Sequence, residues 1–242
     1  IYTSQTIIVP FLFLLTVTLY RKKIGRNKLI AAVLLAIFLT IPLTILTLTN
    51  SNLRFRAATV FVSQDINLGK QIEFSRNTVK SYSDYIFTRF LNQFNFEYIF
   101  AKGLDLTNQG LIGIGPLLFW QIPFLFLGII SLLKDKNLIP TKNILLGMAV
   151  LAMIPAAVTF EPFSPHRSML SFTTLSIISA FGLFNFLKYF WSFKKITLQI
   201  KFLGLFFSCL ALVLNIIYFI HIYSVSYPYE KSQNLQYPFK KV

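Results

Sequence analysis

Six long apolar stretches constrain this chain more than any other feature. A bilayer core of about 30 Å is crossed by about 20 consecutive apolar residues in helical form, because no water is present there to satisfy backbone hydrogen bonds. The stretches run approximately over residues 4 to 20, 29 to 49, 114 to 133, 143 to 159, 168 to 190 and 202 to 222. The expected fold class is therefore an all-α integral membrane protein, a bundle of about six transmembrane helices with a partly helical external loop. The chain is 55% hydrophobic, 13% charged and carries 27 Phe, which exceeds the apolar share of an ordinary soluble domain. Its net charge of +15 sits in short clusters between apolar runs, a distribution that orients membrane helices and excludes nucleic acid as a partner. The single cysteine, Cys209, lies inside an apolar run and allows neither a disulfide framework nor a cysteine-rich metal site.

Orientation follows from the loops, since Lys and Arg concentrate on the cytoplasmic side. Loops 21 to 28, 134 to 142 and 188 to 201 hold twelve of the 23 basic residues and one acid, Asp135. The alternate segments 50 to 113, 160 to 167 and 223 to 242 hold the other eleven, together with seven of the 8 acids. Six crossings and this bias agree on a multi-pass protein of the plasma membrane, with loop 50–113 and the C-terminal tail outside. The organisation expected is two membrane helices over 1–49, the external loop 50–113, four membrane helices over 114–222, and the start of an external tail over 223–242. The chain begins at Ile1 and ends in a polar stretch at Val242, so it is expected to be a piece of a longer protein. Pro10, Pro42, Pro123 and Pro155 read as packing kinks, because neighbouring helices can re-satisfy the freed carbonyls.

A structureless loop as long as 50–113 would be unusual. Between residues 77 and 93, Val79, Tyr82, Ile86 and Phe90 recur at spacings of three and four, with Lys80, Asp84, Thr88 and Asn92 elsewhere. This pattern predicts an amphipathic helix whose apolar face rests on the membrane surface or on the bundle. The run Phe94, Phe96, Tyr98 and Phe100 suits the bilayer interface. Gly103, Gly110, Gly113 and Gly115 then loosen the chain before re-entry at Pro116.

No GxxxxGK, HExxH or GxSxG signature is present. His221, alone at the end of an apolar run, reads as a structural interfacial histidine rather than a ligand. Segment 161–167 is different: Glu161, His166 and Arg167 share a proline-shaped external turn between two membrane helices. Ionisable groups at a bundle mouth are functional candidates, and the competing reading is an interfacial cap in which Glu161 pairs with Arg167. Arg54 and Arg56, just beyond the second helix, are candidates for the same mouth, where a planar guanidinium fork suits phosphate. Ordinary headgroup anchoring is the simpler reading of these two arginines.

Four blocks resemble the C-terminal part of bacterial GT-C membrane glycosyltransferases, the protein O-mannosyltransferase-like and aminoarabinose-transferase-like group. These are "NLRFRAATVF", then "YIFTRFLNQFNFEYIFAKG" followed by "GIGPLLFWQIPFLFLGI", then "IPAAVTFEPFSPHRSMLSFTTLSIISAFG", and finally "IYFIHIYSVSYPYE". They occur in the family's order, and the block over residues 154 to 182 is the strongest. In many relatives extra residues separate the Pro-His pair from the arginine, whereas here Arg167 directly follows His166.

The resemblance implies a transferase that moves a sugar from a polyprenyl-phosphate donor to a protein or lipid acceptor at the external face. It implies a metal-assisted or base-assisted displacement, with a divalent metal as possible cofactor and the catalytic aspartate in a first external loop upstream of residue 1. Arg56, Arg167 and Arg54 would bind the donor phosphate, while His166 and Glu161 would bind substrate. Helix 77–93 would cover the entrance used by the lipid. The alternative is a non-enzymatic transporter or flippase, or a structural membrane subunit. The sequence gives a transporter little, since no Asp, Glu, Lys or Arg occupies the centre of a span and no repeat is visible.

Overall fold

A computed structural model describes residues 3–20, 25–51, 61–75, 77–102, 113–135, 139–159, 165–192 and 197–226. Among them the chain is helical, with no strand beyond an isolated bridge between Phe61 and Thr159. The helices are α1 (Thr3–Tyr20), α2 (Arg26–Thr49), α3 (Ile66–Ser75), α4 (Thr78–Asn92), α5 (Gln121–Lys134), α6 (Ile139–Leu151), α7 (Ile154–Ala157), α8 (Pro165–Ser192) and α9 (Leu198–His221). A 3-10 turn at Val62–Gln64 and π-helical turns at Glu97–Lys102 and Ile222–Ser226 complete the set.

Three helical stretches are long and apolar enough to cross a bilayer: Ile139–Ala157, Pro165–Ser192 and Leu198–Val225. Three shorter apolar stretches, Ile8–Tyr20, Asn27–Pro42 and Gln121–Lys134, accompany them. The described residues thus contain fewer full-length spans than the six expected. For the third expected span, 114 to 133, the reason is local. Gly113 takes a positive φ of 82°, and the following backbone turns to the π-helical segment instead of entering a helix. The Gly115 N–H donates to the Phe100 carbonyl at 3.2 Å and the Leu117 N–H to the Ile99 carbonyl at 3.0 Å. A side chain on Gly115 would run into the Ile99 carbonyl, so only glycine allows this approach. The helix starts at Gln121.

Polar side chains within the apolar helices bond their own backbone, as they must where water is absent. Thr16 donates to the Leu12 carbonyl at 2.8 Å, Thr40 to Ala36 at 3.0 Å, and Asn215 to Ala211 at 2.9 Å.

The chain divides into two compact units, Ile1–Asn92 with Ile139–Pro162, and Gln93–Leu138 with Phe163–Val242. In the first unit α1 packs on α6 and α7, with Leu15 against Gly147. Val62, Leu68, Ala152, Met153 and Ala156 form its tightest core. In the second unit α5 and α8 make the dominant contact. The buried residues of α8 are Ser168, Ser171, Phe172, Thr174, Leu175, Ile178, Ser179 and Gly182, one face on which small side chains alternate with large ones. Without a hydrophobic drive between helices in lipid, small residues let backbones approach and gain dispersion contact. Helix α9 buries none of its described side chains and is apolar on all faces, the pattern of a lipid-exposed helix.

Candidate functional site

In the second unit α8 begins at Pro165, which places His166 and Arg167 in its first turn. Proline at the start is favoured because its missing N–H is one that would have no partner there. His166 is exposed and Arg167 half-buried, with one guanidinium nitrogen fully covered. The first turn holds no acid. A helix N-terminus carries the equivalent of about +0.5 charge, so two cationic or potentially cationic side chains there reinforce one sign instead of balancing it. Such an end is complementary to an anion.

Tyr98 packs onto the same end of α8. Its ring meets Phe172 edge-on at 5.8 Å between centroids, and both Tyr98 and Ser168 are buried. In the aromatic run expected at the interface, Phe94 and Phe96 are exposed, whereas Tyr98 and Phe100 are buried. Burial pushes the Tyr98 phenol up to about 12, and a hydrogen bond with the Ser168 hydroxyl pulls the other way. A phenol raised above its unfolded value near 10 stabilises the fold fully below that pH. The contribution is lost as pH rises from about 10 toward 12. Thermal unfolding between those limits should therefore fall more steeply with pH in the parent protein than in Tyr98→Phe. Parallel profiles would remove Tyr98 as the cause.

In the first unit a second polar cluster is built around Arg89, which is 5% exposed. Asn77 precedes helix α4 and caps it, its side-chain oxygen accepting the Lys80 N–H at 3.1 Å. Two turns on, Tyr85 and Arg89 share one face at a spacing of four, with the guanidinium 5.5 Å from the Tyr85 ring centroid. Asp65 precedes α3 and accepts the Asn67 N–H at 3.0 Å through one oxygen. Its other oxygen accepts the Tyr85 hydroxyl at 2.6 Å and Arg89 Nη1 at 2.9 Å. Arg89 Nη2 donates to the Thr159 carbonyl at 2.6 Å. Burial, with the Asp65 carboxylate beside it, raises the Tyr85 phenol. This cluster ties α3 and α4 to the end of α7. Its ion pair, N-cap and carbonyl contact give each member a fixed structural partner, the arrangement of a lock.

Of the residues singled out in the sequence, His166 and Arg167 stand together at the α8 end, while Arg54, Arg56 and Glu161 lie outside the described residues. Asp65, Tyr85, Arg89 and Thr159 were not singled out. Sequence offers only the N-cap position of Asp65 and the spacing of Tyr85 to Arg89 as signals. On the face of α4 read as apolar, Tyr82, Ile86 and Phe90 are half-buried and Val79 is 79% exposed, while the adjoining Ser81 and Arg89 are the residues most buried. Among the described residues no three His, Cys, Asp or Glu side chains come together as metal donors. Set against protein-family models, curated proteins and solved structures, the chain matches none.

Proposed function

We propose that the chain forms the C-terminal part of a GT-C-type membrane glycosyltransferase that moves a sugar from a polyprenyl-phosphate donor to a protein or lipid acceptor. The observation that carries this reading is the α8 end: His166 and Arg167 lie in the first turn of an apolar helix long enough to cross a bilayer, and that turn itself holds no acid. There Arg167 holds the donor phosphate and stabilises the charge that grows on it as the bond to the anomeric carbon breaks. A preorganised donor in a water-poor site is effective because it need not reorient during reaction. His166 donates a hydrogen bond to phosphate or sugar. Arg54 and Arg56 add phosphate contacts and Glu161 orients Arg167 or a sugar hydroxyl, as the resemblance implies. The base belongs to the aspartate that the resemblance assigns to a first external loop.

The same reading gives six crossings, with segments 50–113 and 223–242 outside the plasma membrane, supported by the charge bias of the loops. In membranes carrying the protein, Arg167→Ala should lower transfer from a polyprenyl-phosphate sugar about 10²-fold, the loss typical of one such donor. Arg167→Lys should recover part of it, since a point charge lacks the planar fork. Unchanged transfer in a folded Arg167→Ala protein removes the residue from the site, and no transfer by the parent protein from any such donor removes the reading. A membrane-impermeant acceptor glycosylated by intact spheroplasts supports the external orientation. Transfer only after permeabilisation reverses it.

A further inference from the structure

Helix α4 of the first unit has three sides of different chemistry. At about 3.6 residues per turn, residues four apart are neighbours on one side. Ser81, Tyr85 and Arg89 form the first side, which faces the protein: Ser81 and Arg89 are buried, and Tyr85 and Arg89 both bind Asp65. Asp84, Thr88 and Asn92 form the second, which is exposed and polar. Val79, Ser83, Phe87 and Leu91 form the third, which is exposed and mainly apolar. Val79 is 79% exposed, Phe87 60% and Leu91 52%. The half-buried Ile86 and Phe90 border it.

What covers the third side is decided by where α4 is held. It packs on α7, which closes the stretch Ile139–Ala157, long and apolar enough to cross a bilayer. Arg89 Nη2 reaches the carbonyl of Thr159, just beyond the end of that stretch, at 2.6 Å. Phe61, bridged to Thr159, is 43% exposed at the same level. The guanidinium that fixes the polar side thus holds α4 where hydrocarbon gives way to headgroups. Charge narrows the partner further. Of the charged side chains on α4, Arg89 is paired with Asp65, and the exposed Lys80 and Asp84 have opposite signs. Acidic headgroups gain little from such a helix, so apolar burial is the drive.

We propose that α4 is an interfacial helix whose Val79, Phe87 and Leu91 lie among the upper acyl segments of the bilayer that the first unit's own span crosses. Asp84, Thr88 and Asn92 then face headgroups and water. Helices of this kind sink their apolar side about 5–10 Å into the boundary between headgroups and acyl chains. Lys80 keeps its ammonium among the headgroups by extending its stem. The lipid side is not the one that hydrophobic spacing selects. Tyr82, Ile86 and Phe90 turn partly toward the protein, which leaves the membrane contact to Phe87 and Leu91. The Arg89 clasp then does more than stabilise: by fixing the roll of α4 it sets which side meets lipid. The inference rests on Ile139–Ala157 lying in a bilayer and is independent of sugar transfer.

Nitroxide labels on the whole protein test it. Cys209 is the one cysteine, so a Cys209→Ser background accepts single labels through Phe87→Cys, Leu91→Cys, Thr88→Cys and Asn92→Cys. In phosphatidylcholine vesicles each label is exposed to molecular oxygen, which concentrates in acyl chains, and to a water-soluble nickel chelate, and power saturation of the paramagnetic resonance signal reads the collisions. The ratio of oxygen to chelate collisions should be several-fold higher at 87 and 91 than at 88 and 92, with circular dichroism unchanged. Adding phosphatidylglycerol should leave that pattern as it is. Equal ratios at the four positions would show that the two exposed sides meet the same surroundings and overturn the inference. Low collision rates for both reagents at 87 and 91 overturn it in favour of a protein partner. A pattern that appears only with phosphatidylglycerol overturns it in favour of attraction to acidic headgroups.

Discussion

Replacing Arg89 with methionine should destabilise the first unit by about 3–5 kcal/mol, the cost of leaving one member of a buried ion pair alone. The expectation rests on geometry. Side-chain exposures are 6% for Arg89 and 11% for Asp65, so water cannot take over the solvation of the charge left behind. Asp65→Asn is the instructive partner, because asparagine still caps α3 through its side-chain oxygen but removes the charge. Alone it strands the guanidinium and should cost a similar amount. Together, Asp65→Asn and Arg89→Met should cost far less than the two single changes combined, since both desolvated charges disappear. Unfolding in mixed micelles, followed by helicity, measures all three. Additivity within about 0.5 kcal/mol would show that the two groups do not interact, and the lock assigned to them would fall.

That cluster also shows where sequence reading reaches and where it stops. Apolar runs of bilayer length are visible because lipid imposes one requirement on every residue of a span. For that reason helices at Pro165–Ser192 and Leu198–His221 overlap the stretches 168 to 190 and 202 to 222 read from hydropathy. Capping is visible for a similar reason: Asn77 acts on residues three positions away. Long-range pairing leaves no such mark. Asp65 and Arg89 are 24 positions apart, and nothing in either neighbourhood says which face of α4 will be buried. Residues 114 to 120 are apolar enough to start a span, yet their backbone bonds to Ile99 and Phe100 instead. The same contact decides which aromatics of the run 94 to 100 face inward. At the α8 end, His166 and Arg167 could be read from type and position, but the approach of Tyr98 to Phe172 could not. It depends on how a segment some 70 residues earlier folds back.

Introducing leucine at Gly182 should separate α5 from α8 and cost at least about 3 kcal/mol, the upper end for overpacking a well-filled core. Gly128 and Gly182 sit where the two helices come closest. A Cβ at Gly182 would meet the Phe124 carbonyl oxygen and the Gly128 nitrogen, and one at Gly128 would meet the Ile178 carbonyl oxygen. These obstacles are backbone, which cannot swing aside as a side-chain tip can, so even Gly182→Ala should be destabilising. Helix propensity alone argues the other way, because alanine is favoured over glycine inside a helix by about 0.8–1.0 kcal/mol. Gly69 supplies the internal control. It lies within α3 with nothing inside 4 Å of an added Cβ, and Gly69→Ala should stabilise by about 0.4–1 kcal/mol. Opposite signs for the same chemical change at two helical glycines would show that backbone approach between α5 and α8, not propensity, holds the second unit together. If Gly182→Ala and Gly69→Ala both stabilise, the helices are not in backbone contact. The small side chains along α8 would then need another explanation.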